Sequence, residues 1–123
     1  MSIFLFAAAA ISGATLYVHV FVGGRVVARP LLNDRTLPRA SKWLNYYCWH
    51  IATLLIAFFA IAFAWQAITQ LVVDWTIWLS ILSGSLSVLS ALVAIKGGVN
   101  PFRFPSTTLF ALVAVFGVLA LMF

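Results

Sequence analysis

The sequence is short of charge. Of its 123 residues only nine are charged, seven basic and two acidic, and glutamate is absent. A soluble domain carries about a quarter of its residues as Asp, Glu, Lys or Arg, so a charged fraction of 7% does not cover a water-facing surface. Cysteine is scarce as well. Cys48 stands alone, which excludes an intrachain disulfide framework. What is abundant is apolar side chain, 65% of the chain, and that excludes intrinsic disorder, which needs low hydrophobicity. The net charge of +5 resembles a nucleic-acid signal. The cations, however, sit between long apolar runs, where they act as topology determinants, and nucleic acid is excluded as a partner.

A membrane-crossing helix needs about 20 mostly apolar residues. Four runs qualify: Ile3 to Val22, Trp43 to Gln66, Trp75 to Ile95 and Ser106 to Phe123. The expected fold is therefore an all-α integral membrane protein, with four transmembrane helices in an antiparallel bundle and one membrane domain over residues 1–123. The first run has no Lys or Arg before it and is too long for the apolar region of a signal peptide, so it is read as a retained helix. Arg25, Arg29, Arg35, Arg39 and Lys42 fall in the first connection, and Lys96 and Arg103 in the third. With four spans all seven cations share one side. The positive-inside bias then makes those loops cytoplasmic and both termini periplasmic, in a cell inner membrane. Pro30 and Pro38 are expected to divide the first connection, and Pro101 and Pro105 the third. Trp43, Tyr46, Tyr47 and Trp49 form one interfacial belt, and Trp65, Trp75 and Trp78 the other.

Small and weakly polar residues recur at helical spacing. The first helix has Ala8, Ser12, Thr15, His19 and Gly23; the second has Tyr46, His50, Thr53, Ala57, Ala60, Ala64 and Ala67. The third has Ser80, Ser83, Ser87 and Ser90, and the fourth Thr107, Ala111, Ala114 and Gly117. Lipid is as apolar as Leu, so helices in a membrane associate through close packing and interhelical hydrogen bonds, which favours small and hydroxyl residues. The four serines are the expected packing seam. A polar cavity lined by Ser, Thr and His is the other reading of the same stripes.

His19 and His50 are the sites that chemistry would use. Counted from the flanking cations at 1.5 Å per residue, they lie about 9 Å and about 12 Å below the boundary. Two facing histidines at one depth suit a b-type haem, with Arg25 and Arg29 placed to pair with its propionates. Against this stand two neutral histidines, hydrogen-bonded to Thr15, Thr53 or a tyrosine. Cys48 points roughly 200° away from His50 and is expected to be a buried apolar thiol. Asp34, among Arg29, Arg35 and Arg39, is expected to form interfacial ion pairs, and Asp74 to favour the start of the third helix. No Asp or Glu lies within a span, and no triad, zinc, phosphate-loop or dinucleotide pattern occurs, so no enzyme is expected. Small multidrug exporters and fluoride channels have a similar size. The helix-one glutamate of the former and the phenylalanine- and threonine-rich motif of the latter are both missing here.

These features favour a small polytopic inner-membrane protein that acts as a binding, assembly or accessory subunit. Its partners are the lipid bilayer and copies of itself or a larger membrane-protein complex, with no cofactor. The alternatives are a b-haem-binding electron-transfer or anchor subunit using His19 and His50, and an oligomeric small-solute channel or carrier.

Overall fold

The computed structural model describes residues 2–70 and 73–123, and the side chains of Ser2 and Val73 are not described. The described residues are all-helical, with four helices long and apolar enough to cross a membrane. Helix α1 is one continuous rod of three segments: α-helical Ser2–Tyr17, π-helical Val18–Ala28 and α-helical Arg29–Asn33. Helix α2 spans Arg39–Thr69, α3 Val73–Lys96 and α4 Pro105–Met122. A single 3-10 turn at Pro101–Arg103 joins α3 to α4, and the Asn100 side chain caps it by accepting from the Phe102 amide at 2.9 Å.

The first two helices are longer than their apolar runs, and the first connection shrinks to the few residues after Asn33. Pro30 does not break α1 as expected. The widened helix ahead of it supplies the reason. The Arg29 amide reaches back five residues to the Gly24 carbonyl, and such a wide turn relaxes the packing that a proline ring would otherwise violate. Pro30 then occupies the first turn of the closing segment, where no amide hydrogen is required. Arg25 and Arg29 consequently lie on the helix itself. The end of α1 is fastened from across the turn, where Lys42 Nζ donates to the Leu32 carbonyl at 3.2 Å, a cation on a helix C-terminus. Helix α3 ends differently. Gly98 takes a φ of +69°, which lets its amide reach Ile95 and that of Val99 reach Ala94 at 2.9 Å, a Schellman closure that needs glycine's left-handed freedom.

The helices pack in the order α2, α1, α4, α3, with α2 and α3 barely in contact. A bond between those two lies beside their shared loop, from the Thr76 hydroxyl to the Gln66 side-chain oxygen. The core lies mainly between α1, α2 and α4. On α2 the buried residues are Ile56, Phe59, Phe63, Gln66 and Ala67, whereas Ala57, Ala60 and Ala64 are only half-buried. The expected alanine stripe is therefore a flank of the contact face. Large rings fill the centre because α4 offers room. Phe59 meets Phe110 with centroids 6.1 Å apart, and the edge of Phe63 lies over Gly117.

Candidate functional site

The third and fourth helices are tied by their hydroxyls. Ser83 Oγ donates to the Phe110 carbonyl at 2.8 Å, and Ser87 Oγ to that of Thr107 at 2.6 Å. Ser90 Oγ bonds Ser106 Oγ at 2.6 Å and Thr107 Oγ1 at 2.9 Å. Ser80 differs: it donates to its own helix at the Thr76 carbonyl and packs its side chain against Gly117. On α1, Ser12 and Thr15 also bond back to carbonyls of their own helix, those of Ala8 and Ile11. Such back-bonding satisfies the hydroxyl without linking helices.

His19 lies on the π-helical part of α1. Its Nε2 is 3.1 Å from Thr53 Oγ1 and 3.2 Å from the Trp49 carbonyl. The Thr53 hydroxyl bonds that same carbonyl at 3.1 Å. The Trp49 indole then lies flat on the imidazole, 3.9 Å between centroids and 16° between planes. Gly23, one turn on, makes this possible, because a Cβ there would stand 2.6 Å from Trp49 Cη2. Trp49, expected in the interfacial belt, is thus a packing residue between helices. The signal for it was present in the i, i+4 pairs His19–Gly23 and Trp49–Thr53, which place both partners on single faces.

His50 does not join His19. It is exposed and set edge-on to Tyr46, with centroids 4.5 Å apart and planes at 84°. Cys48 is exposed as well and not buried as expected, because Tyr46, Trp49, His50 and Thr53 at i, i+3, i+4 and i+7 define the face turned toward α1.

Tyr46, Trp49, His50 and Thr53 form one wall of a cavity of about 400 Å³. The opposite wall is Val20, Gly24, Ala28, Arg29, Leu32 and Asn33 of α1. Of the four residues considered for haem, Arg29 and His50 line this cavity, His19 lies behind Trp49, and Arg25 is exposed outside the lining set. Beside it, Asp34 uses its carboxylate for the turn, not for the arginines. Its Oδ1 accepts from the Thr36 amide at 2.6 Å, the Thr36 hydroxyl at 2.7 Å and the Leu37 amide at 3.2 Å. The Thr36 hydroxyl, those two amides and the nearby Lys42 charge hold its pKa below the usual carboxylate value. Among the described residues no three His, Cys, Asp or Glu side chains converge on one point.

Comparison of the chain with protein-family models, with curated proteins and with solved structures returns no match.

Proposed function

We propose that this chain is a small polytopic inner-membrane protein that works by helix packing, as an assembly or accessory subunit built from copies of itself. The observation that carries the reading is a row on the outside of α2. Leu44, Tyr47, Ile51, Leu54, Phe58, Ile61, Trp65 and Ile68 are all large, apolar and between 46% and 72% exposed. They repeat at alternating steps of three and four residues. That 3.5-residue period is the one that keeps a seam facing a partner helix along a left-handed crossing, where large side chains interdigitate as knobs in holes instead of the close backbone approach that small residues permit. The hydroxyls and His19, by contrast, are occupied inside the chain. The reading therefore takes the interior as a fixed scaffold and α2 as its outward surface.

The helices run as an antiparallel bundle with both termini on the periplasmic side. Phe4 meeting Phe116 and Phe123, and Ser90 meeting Ser106, support the alternation of direction. The seven cations at one end support the orientation. The haem reading would require His19 to exchange Thr53 and the Trp49 carbonyl for iron and to shed the indole stacked on it, so it ranks second.

Cysteine cross-linking tests the proposal. In a Cys48→Ser background, Leu54→Cys and Ile61→Cys are expected to form disulfide-linked dimers in native membranes, and Leu92→Cys on α3 is not. Cross-linking with no period along α2, together with a monomeric mass in mild detergent, refutes it. Adducts only to a larger protein would replace the second copy with a foreign partner.

A further inference from the structure

The cavity between the widened part of α1 and the start of α2 is lined by residues of two chemical kinds. Val20, Ala28, Leu32 and the indole of Trp49 give it an apolar part, and Arg29, Asn33, Tyr46 and His50 a polar one. We propose that it binds the phosphate headgroup of an anionic membrane phospholipid, with Arg29 as the principal phosphate partner and the first part of an acyl chain lying along Val20. This rests on the chain spanning a membrane and is independent of whether α2 pairs with a second copy.

Four observations support the assignment. The lining offers a guanidinium, an amide, a phenol and an imidazole as donors and no carboxylate, since the nearby Asp34 is turned into its own loop. A planar guanidinium matches two phosphate oxygens at once. The volume of about 400 Å³ falls in the range of small-molecule sites, about 300–1,000 Å³, which is ample for a headgroup and far more than a bare phosphate fills. The cavity also lies where α1 ends and α2 begins, the stretch of sequence that carries Arg25, Arg29, Arg35, Arg39 and Lys42. Clusters of four to eight such cations beside a membrane helix attract anionic lipid, and basic pockets between helices take phosphorylated headgroups.

The test is native mass spectrometry of the full chain released from nanodiscs of phosphatidylcholine doped with phosphatidylglycerol. The expected result is selective retention of a single phosphatidylglycerol per chain. Arg29→Gln should lower that retention about fivefold, the effect of one cation near an anionic surface. Arg103→Gln, outside the cavity, should leave it unchanged. Gly24→Leu is the steric probe, because a Cβ there meets nothing within 4 Å and the side chain would grow into the cavity. It should abolish retention with an unchanged circular dichroism spectrum. If it does not fold, Arg29→Gln carries the comparison. Equal retention of the two lipids, or undiminished phosphatidylglycerol in a folded Gly24→Leu, overturns the proposal. So does full displacement of the lipid by glycerol 3-phosphate at matched concentration, which would make this a site for soluble phosphate esters.

Discussion

Gly23 and Gly24 are neighbours in sequence with opposite surroundings, and replacing each by alanine isolates the His19–Trp49 contact. A Cβ on Gly23 would lie 2.6 Å from Cη2 and 3.2 Å from Cζ2 of Trp49. Carbon atoms pack best at about 3.5–4.0 Å, so the indole must retreat by about 1 Å. It is not free to do so, since its face covers the His19 ring and its own carbonyl accepts from His19 or Thr53. Overpacking of this kind costs about 1–3 kcal/mol, and loss of the stacked pair about 0.5–1.5 kcal/mol more. Removing a helical glycine returns roughly 1 kcal/mol. The net expectation is a destabilisation of about 1–3 kcal/mol for Gly23→Ala, against no loss for Gly24→Ala, which adds the same methyl to open space. Reversible unfolding in a mixed-micelle SDS titration, followed by far-ultraviolet circular dichroism, measures both. Coupling to a second change sharpens the result: in Trp49→Leu, Gly23→Ala should cost little, because the ring edge it collides with has gone. Equal stabilities for Gly23→Ala and Gly24→Ala would refute the packing argument.

Three further outcomes are expected. Ser87→Leu, whose hydroxyl now meets the Thr107 carbonyl, should destabilise the α3–α4 pair by about 1–3 kcal/mol in the same titration. Ser85→Leu should be neutral, since Ser85 is exposed and bonds back to the Ile81 carbonyl of its own helix. The depressed pKa of Asp34 means that its stabilising bonds are complete above the unfolded carboxylate value and are lost as pH falls through the lower folded value. Protection of the Thr36 amide, taken relative to its intrinsic exchange rate, should therefore fall in acid, and Asp34→Asn should flatten that limb. With Cys48 replaced by Ser, a cysteine at Ser2 should react with an impermeant thiol reagent in intact cells, and one at Thr36 should not; the reverse pattern inverts the topology.

Much of the fold was legible because length and apolarity decide a span, and four uncharged runs leave little choice. On α3, Ser83, Ser87 and Ser90 bond residues of the fourth helix and Ser80 bonds its own, a difference that helical spacing does not announce. Helix ends were less legible. Pro30 reads locally as a breaker, and only the Arg29-to-Gly24 bond, a register no periodicity announces, lets the helix continue. On α2 the small residues misled, because the buried face depends on what α4 offers opposite it, and Gly117 makes room for Phe63 there. The histidine pair shows the limit of depth arguments. Rise per residue places two rings at one level, but the direction of each depends on rotation, and Trp49 rather than His50 faces His19.

The helix order has a consequence for synthesis. The contacts of α1 with α2 and of α3 with α4 join helices consecutive in sequence, while the join between the pairs runs through α1 and α4. Chains emerge from the ribosome from the N-terminus at about 5–20 residues per second, so the first hairpin is complete while the last helix is still being made. During that interval Phe59 and Phe63 lack the cover of Phe110 and Gly117. The nascent protein thus passes through a half-built stage with an open aromatic flank, which only the arrival of the fourth helix closes.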